Sequence, residues 1–163
     1  MLKFFTLLVA LATTLSVANA EHHNTATIAD KNGCKVYNPM PQKDESISWS
    51  GKCLNGFAHG KGTLKWEISG KVKEVYTGDM ANGWAEGDGV LTSEEGTQYE
   101  GSWVRSRQHG RGVQINPDDS AYDGEWREGR PHGYGRFRTP TGQTWEGEWH
   151  NGKPLQEDNG RRI

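Results

Sequence analysis

Residues 99–112 read YEGSWVRSRQHGRG, and residues 122–135 read YDGEWREGRPHGYG. The second stretch begins 23 residues after the first and places its aromatic, glycine and histidine residues at the same offsets. Internal repetition of this kind is typical of proteins built from tandem structural units that stack on one another. The number and content of the copies therefore decide the fold class.

Five copies of the pattern align along the chain, and they start at residues 49, 76, 99, 122 and 145. Each copy opens with an aromatic residue, and a glycine follows two positions later. The position two further on holds Trp in the last three copies, but Cys53 and Met80 in the first two. A glycine stands at the next turn in every copy except the third, which has Ser106. The first four copies continue to a Gly-x-Gly, whereas the fifth stops at residues 154–155.

The period of two within each copy predicts β-strands. In the third copy Tyr99 and Trp103 fall on one face of the strand and Glu100 on the other. We expect residues 105–109 to form a loop and residues 110–116 to form the return strand of a hairpin. Glycine weakens a strand, but bare backbone offers a neighbouring ring a surface to lie on. Because one hairpin is too small to be stable alone, the sequence predicts an all-β, elongated single-layer antiparallel sheet of tandem β-hairpins.

The pattern resembles the MORN family, whose repeat reads roughly Tyr-x-Gly-x-Trp-x-x-Gly-x-x-x-x-Gly-x-Gly. The resemblance runs over residues 49–155. The chain departs from it at Cys53 and Met80, at Ser106, at Glu86 where His or Lys is usual, and in the shortened fifth copy. The resemblance implies a twisted, single-layered antiparallel sheet, and it suggests phospholipid binding as one possible activity.

The two ends of the chain differ in composition from the repeats. Residues 1–20 carry one charge, an apolar run and a final Ala-Asn-Ala, which predicts a signal peptide cut after Ala20 and a secreted or periplasmic protein. We expect a flexible leader over residues 21–32, an N-terminal cap over 33–48, the repeats over 49–155 and a fraying tail over 156–163. The formal net charge of −2 argues against nucleic acid as a partner.

Cys34 and Cys53 are the two cysteines of the chain. In an oxidising compartment such a pair most simply forms a disulfide; two free thiols are the alternative, and the spacing matches no zinc motif. Cys53 stands where later copies carry Trp. We therefore expect a disulfide to replace the missing ring and to hold residues 33–48 over the open end of the sheet.

Recurring polar residues do not predict a catalytic centre or a cofactor. His59, His109 and His132 occupy equivalent positions two strands apart, about 10 Å, which is too far to share a metal ion. Glu146 and Glu148 lie on one face, but they repeat a carboxylate pattern typical of a solvated surface. We predict that the protein is not an enzyme.

One metal site is conceivable at the N-terminus created by cleavage, which would read Glu21-His22-His23. A free amine, two backbone amides and an imidazole at the third residue form a square-planar set suited to Cu(II) or Ni(II). The alternative, which we favour, is an exposed leader that happens to contain histidines.

The preferred functional hypothesis is an exported, non-catalytic interaction module that binds a partner protein through a concave, aromatic-lined sheet face. Glycan or peptidoglycan stacking on the same rings is the alternative. Phospholipid binding is disfavoured because the arginines of residues 105–138 are mixed with acids. The oligomeric state stays open, since the edge of the last repeat could pair with a second copy. The candidate binding residues are Tyr76, Tyr99, Trp103, Tyr122, Trp126, Trp145 and Trp149.

Overall fold

The structure is a computed structural model that describes residues 26–155. The predicted signal peptide, the candidate metal site at Glu21, His22 and His23, and the predicted tail lie outside these residues. No helix long and apolar enough for a bilayer occurs between residues 26 and 155. The strands are β1 (Thr27–Ala29), β2 (Lys35–Tyr37), β3 (Glu45–Trp49), β4 (Lys52–Leu54), β5 (Phe57–Ile68), β6 (Lys71–Ala81), β7 (Trp84–Ser93), β8 (Gln98–Val104), β9 (Arg107–Ile115), β10 (Ala121–Arg127), β11 (Arg130–Arg138), β12 (Thr144–His150) and β13 (Lys153–Pro154).

From β5 to β13 the order of strands in the sheet is their order in the chain, and every neighbouring pair is antiparallel. Strands β3 and β4 both pair with β5 and together form the opening strand of the first repeat. That opening strand begins at Glu45, inside the predicted cap. The prediction of an open single sheet of consecutive hairpins is confirmed.

Two-residue turns close the five hairpins. Both central residues of each turn have positive φ, as at Asn82 (49°) and Gly83 (81°), which is the signature of a type I′ turn. The third turn uses Arg105 and Ser106, at 47° and 58°. The predicted five-residue loop over 105–109 is therefore wrong, because the type I′ turn matches strand twist and lets the return strand begin at Arg107.

The two glycines of each Gly-x-Gly have different roles. The first is left-handed, with φ between 60° and 71° in the four copies, and the pairing register shifts beside it in repeats two to four. Such a conformation at a bulge favours glycine because it has no Cβ. The second glycine joins a row that crosses the sheet in continuous register: Gly62, Gly78, Gly89, Gly101, Gly112, Gly124, Gly135 and Gly147.

This glycine row leaves no room for side chains, because aromatic rings lie on it. A Cβ placed on Gly112 would lie 2.5 Å from Cζ of Tyr99, and one on Gly135 would lie 2.5 Å from Cζ of Tyr122. Real Cβ atoms do not approach other atoms so closely. The ring-bearing face of the sheet therefore holds the hydrophobic core.

The predicted disulfide between Cys34 and Cys53 is confirmed, with a Cα–Cα distance of 5.6 Å. Next to it, the Lys35 N–H donates to the Gly56 carbonyl at 2.9 Å, and the Tyr37 N–H donates to the Gly83 carbonyl at 3.1 Å. Strand β2 therefore lies across the hairpin turns of the first two repeats rather than along the outer edge of β3 and β4, where the sequence placed the cap.

The Tyr37 ring anchors this crossing. It stacks on Trp84 with ring centroids 4.0 Å apart and on Phe57 at 5.7 Å. Strand β1 pairs with β2 in turn, so residues 27–29, which the sequence assigned to a flexible leader, form a strand. Their composition does not predict a strand, and the strand forms because its backbone pairs with β2.

Candidate functional site

The aromatic residues of the repeats form one continuous ladder. Neighbouring rings meet edge to face, with centroids 5.0–5.3 Å apart. This is the arrangement that aromatic quadrupoles favour. In order along the sheet, the ladder consists of Tyr76, Trp103, Tyr99, Trp126, Tyr122, Trp149 and Trp145.

Hydrogen bonds fix the polar ends of the ladder rings. Each tyrosine hydroxyl donates to the carbonyl three residues later; for Tyr122 this acceptor is Glu125, at 3.0 Å. The indoles of Trp103, Trp126 and Trp149 donate to row-glycine carbonyls on the preceding strand, at 3.0, 2.9 and 3.4 Å. The ladder is therefore satisfied internally and needs no partner of its own.

Burial shows which of the candidate binding rings pack inside the protein, a distinction that the sequence left open. Tyr76, Tyr99, Trp103, Tyr122, Trp126 and Trp149 are only 1–9% exposed. These six rings therefore belong to the core: the tyrosines lie on the glycine row, and the tryptophans pack edge to face against the tyrosines. Trp145 is half-buried and is the one candidate with appreciable exposure.

Burial also changes the acid–base behaviour of the tyrosines. It raises the pKa of Tyr122 to about 12, and the carboxylates of Glu125 and Asp123 add to the rise. Burial likewise raises the pKa of Tyr76 and of Tyr99 well above the ordinary tyrosine value. The phenols of the ladder therefore stay neutral at physiological pH.

A groove of about 390 Å³ lies on the ladder face across β9–β12. Its floor consists of Tyr122, Trp126, Phe137 and Trp149. The turn residues Gly129 and Gly152, Pro131 of β11, and the polar side chains of Gln108, Gln114 and Asn116 complete the lining. We call this feature the ladder groove.

The two glutamines of the ladder groove replace apolar residues of the other repeats. Gln108 is paired with Trp103 of the ladder. The other repeats have Ala58, Ala85, Pro131 and Pro154 at the position equivalent to Gln108. Gln114 is paired with Tyr99. Three other repeats have Leu64, Leu91 and Phe137 at the position equivalent to Gln114. Sequence reasoning missed both, because it compared the repeats only at the positions of the family pattern and did not know which residues are paired with Trp103 and Tyr99.

The hydrogen bonds of these two glutamines differ. Gln114 Nε2 donates to Asn116 Oδ1 at 2.8 Å, and Asn116 Nδ2 donates to Ser120 Oγ at 2.8 Å. Gln108 is 1% exposed, yet its Oε1 has no hydrogen-bond partner among residues 26–155. The ladder groove therefore contains one buried, unpaired amide acceptor.

On the opposite face of the sheet, one row of paired residues holds three acids and one arginine: Glu100, Val113, Asp123, Arg136 and Glu146. Arg136 lies in register between Asp123 and Glu146, and Val113 lies between Glu100 and Asp123. The arginine at the centre of this row therefore has an acid on each side, and the row does not form a continuous basic patch.

Metal ligands do not gather in the described part of the chain. Between residues 26 and 155, no group of three or more His, Cys, Asp or Glu side chains could hold a metal ion. The imidazole next to His132 is His150 on the adjacent strand, with ring centroids 5.1 Å apart. Sequence analysis compared histidines at repeating positions only and therefore missed this neighbour.

These features define a repeat protein of tandem β-hairpins whose core is a ring ladder on a glycine row. The family model of the MORN repeat matches residues 54–70, 76–98, 99–121, 122–144 and 145–154, which together are more than half of the chain. The chain therefore belongs to the MORN-repeat family. MORN repeats are generally non-catalytic modules for protein or membrane-lipid interaction. No curated protein matches the chain significantly.

The buried phenols predict a loss of stability in alkali. The pKa of Tyr122 is higher in the folded state, about 12, than its ordinary value of 10.0. Stability from the neutral phenol is therefore complete below pH 10 and is lost as the pH rises toward 12. The free energy of unfolding, measured with urea between pH 8 and pH 12, should fall above about pH 10 and fall less steeply in Tyr122→Phe. Equal slopes in the two proteins would contradict the burial of this phenol.

Proposed function

We propose that this protein is a non-catalytic interaction module that binds an extended segment of a partner protein in the ladder groove. The observation that carries the proposal is the buried Oε1 of Gln108, which has no hydrogen-bond donor in the part of the chain that the structure describes. Leaving a buried acceptor unsatisfied costs about 1–3 kcal/mol. A backbone N–H of a bound segment would satisfy it once the Gln108 side chain, which is 1% exposed in the free protein, turns outward into the ladder groove.

The other repeats show that the fold does not need this glutamine. Ala58 and Ala85 fill the equivalent position without an amide, in the same pairing with the preceding strand. Gln114 likewise replaces a leucine or phenylalanine. One repeat therefore has two amide side chains at positions that are apolar in other repeats, and both lie beside an aromatic floor. This composition is typical of a binding groove rather than of a core.

Other ligand classes receive less support from the same geometry. Stacking of sugars needs exposed ring faces, and the floor residues Tyr122, Trp126 and Trp149 are less than a tenth exposed. Binding of anionic lipid headgroups needs a basic surface, whereas Arg136 lies between two acids. A protein segment, which offers backbone donors and small apolar side chains, fits the ladder groove best.

The test uses Gln108→Ala as the groove variant and Gln98→Ala, on exposed β8 surface, as its matched control. The purified proteins are used to capture partners from the envelope and medium of the native host, with quantification by mass spectrometry. The groove variant should bind the partner roughly three- to tenfold more weakly, the equivalent of one lost hydrogen bond, whereas the control should bind normally.

The stability of the groove variant supplies the internal check. Gln108→Ala should be at least as stable as the natural chain, since alanine occupies the equivalent position in two other repeats. Equal capture by both variants would reject the ladder groove as the binding site. Recovery of cell-wall glycan or lipid vesicles in place of a protein would reject the partner class.

We also infer that the protein is exported. Support comes from the disulfide between Cys34 and Cys53, since such bonds persist in oxidising compartments, together with the composition of residues 1–20. N-terminal sequencing of the protein from its native host should begin at Glu21. A sequence that begins at Met1, or a protein confined to the cytosol, would disprove export.

A further inference from the structure

In the described part of the chain, four gaps separate the hairpin turns of neighbouring repeats, and we call them turn gaps one to four. Each gap is bounded by the second residue of a return strand: Ala58, Ala85, Gln108 and Pro131 in turn. The N–H and C=O of this residue point away from its own hairpin, because the pair next to a two-residue turn is the hydrogen-bonded one. Its carbonyl accepts the N–H of the next turn, at 2.8–3.0 Å in all four gaps. The gaps differ in what its N–H does.

Strand β2 fills the first turn gap. The Lys35 N–H donates to the Gly56 carbonyl at 2.9 Å, and its parallel pairing with β5 makes the Lys35 carbonyl the acceptor of the Ala58 N–H. Two residues later, the Tyr37 N–H donates to the Gly83 carbonyl of the second turn at 3.1 Å. An extended segment therefore fits between two turns and bonds to both of them.

The second and fourth turn gaps are satisfied without such a segment. In the second gap, the Ala85 N–H donates to Ser106 Oγ at 2.9 Å. In the fourth gap the bounding residue is Pro131, which has no N–H. In the third gap Gly129 stands where the second gap has Ser106, so no hydroxyl is present.

The third turn gap is therefore bounded by an N–H that no turn residue satisfies. The Gln108 N–H donates to no acceptor among residues 26–155, although Gln108 is only 1% exposed. Buried N–H groups without a partner are rare in folded proteins and need an explanation. The same residue carries the unpaired Oε1, so its donor and its acceptor both lack a partner in the described part of the chain.

The third turn gap adjoins the ladder groove, since Gln108 and Gly129 bound the gap and also line the groove. In the first gap, Cys34 and Val36 lie on either side of Lys35 and are buried in the core. Side chains alternate along an extended segment, so the residues equivalent to these two would enter the ladder groove. They should therefore be apolar.

The side chains beside the third turn gap are cationic. In the first gap, the Tyr37 ring stacks on Phe57 and Trp84, the first residues of their return strands. Arg107 and Arg130 hold these two positions beside the third gap. Residues 104–107 and 127–130, which include the two turns, contain four arginines and one glutamate. A carboxylate therefore suits the place that Tyr37 takes in the first gap.

We propose that the partner segment crosses the third turn gap as β2 crosses the first, and that its sequence reads apolar, any residue, apolar, then Asp or Glu. Its second residue donates to the Ser106 carbonyl and accepts the Gln108 N–H. Its acidic residue donates its N–H to the Gly129 carbonyl and places its carboxylate between Arg107 and Arg130. This inference rests on the proposed function, because it takes the occupant of the ladder groove to be an extended protein segment.

Hydrogen exchange tests whether the gap is free in the full mature chain. The Gln108 N–H should exchange at least roughly tenfold faster than those of Ala58 and Ala85, which have acceptors in the equivalent gaps. The exchange rates are measured by NMR on the isotope-labelled protein. Equal protection at the three residues would show that the chain itself fills the third gap, and the proposal would fail.

The binding probe is a synthetic peptide with the sequence of residues 32–39, NGCKVYNP, carrying Cys34→Val and Tyr37→Glu. The control peptide carries Cys34→Val and Tyr37→Lys. Binding to the full mature chain is followed by NMR, and the Gln108 amide should shift on binding. The glutamate peptide should bind roughly tenfold more tightly than the lysine peptide, because the two flanking arginines attract the first and repel the second.

Two variants at position 108 separate the backbone contact from the side chain. Gln108→Ala keeps the N–H, and Gln108→Pro removes it. Both should fold, which circular dichroism checks, because other repeats hold alanine or proline at the equivalent position. Gln108→Pro should bind the glutamate peptide roughly tenfold more weakly than Gln108→Ala does. Arg130→Glu should reverse the charge preference, so that the lysine peptide binds more tightly.

The outcomes separate this inference from the proposed function. Equal binding by Gln108→Ala and Gln108→Pro, or a charge preference that Arg130→Glu does not change, would overturn the crossing of the third gap and leave the ladder groove as a binding site. Normal peptide binding by Gln108→Ala, with the proline variant impaired, would reject the role of Oε1 and support the crossing. Anionic lipid vesicles that bind the protein and displace the glutamate peptide would assign the arginines to a membrane surface and overturn the proposal.

Discussion

The structure depends on the contact between an aromatic ring and backbone that carries no side chain. A single layer of strands has no second layer to bury its apolar face. Here the opening rings of the first four repeats each lie on two glycines, and Trp103 and Trp126 each pack edge to face between two tyrosines. Glycine is costly inside a strand, but a large ring removed from water contributes more than that cost. The core is therefore built within the sheet itself.

The informative positions are those where this regular scheme is interrupted. The first repeat lacks its ladder tryptophan and has a disulfide in its place. The third repeat carries Gln108 and Gln114 where the other repeats are apolar. Local departures from an otherwise consistent pattern are expected at functional sites. The ladder groove is a departure of this kind.

The sequence predicted the hairpins, the strand order and the disulfide, because recurring glycines and aromatics leave few alternatives. It predicted that aromatic rings lie on glycine backbone, but it did not show which rings do so or how deeply a ring such as Tyr99 is buried between its neighbours. It also missed Gln108, His150 and the crossing of β2, which depend on pairing between strands rather than on recurrence. The pairing registers of the strands and the burial of individual side chains could be determined only from the structure.

The most direct test of ring-on-glycine packing compares two glycine-to-alanine substitutions by urea unfolding. At Gly112 the new methyl would meet the Tyr99 ring, whereas at Gly142 nothing lies within 4 Å and the only penalty is a φ of +88°. Gly112→Ala should cost about 3 kcal/mol or more through overpacking, and Gly142→Ala about 1 kcal/mol through backbone strain. Equal costs, or a Gly112→Ala protein as stable as the natural chain, would contradict the account.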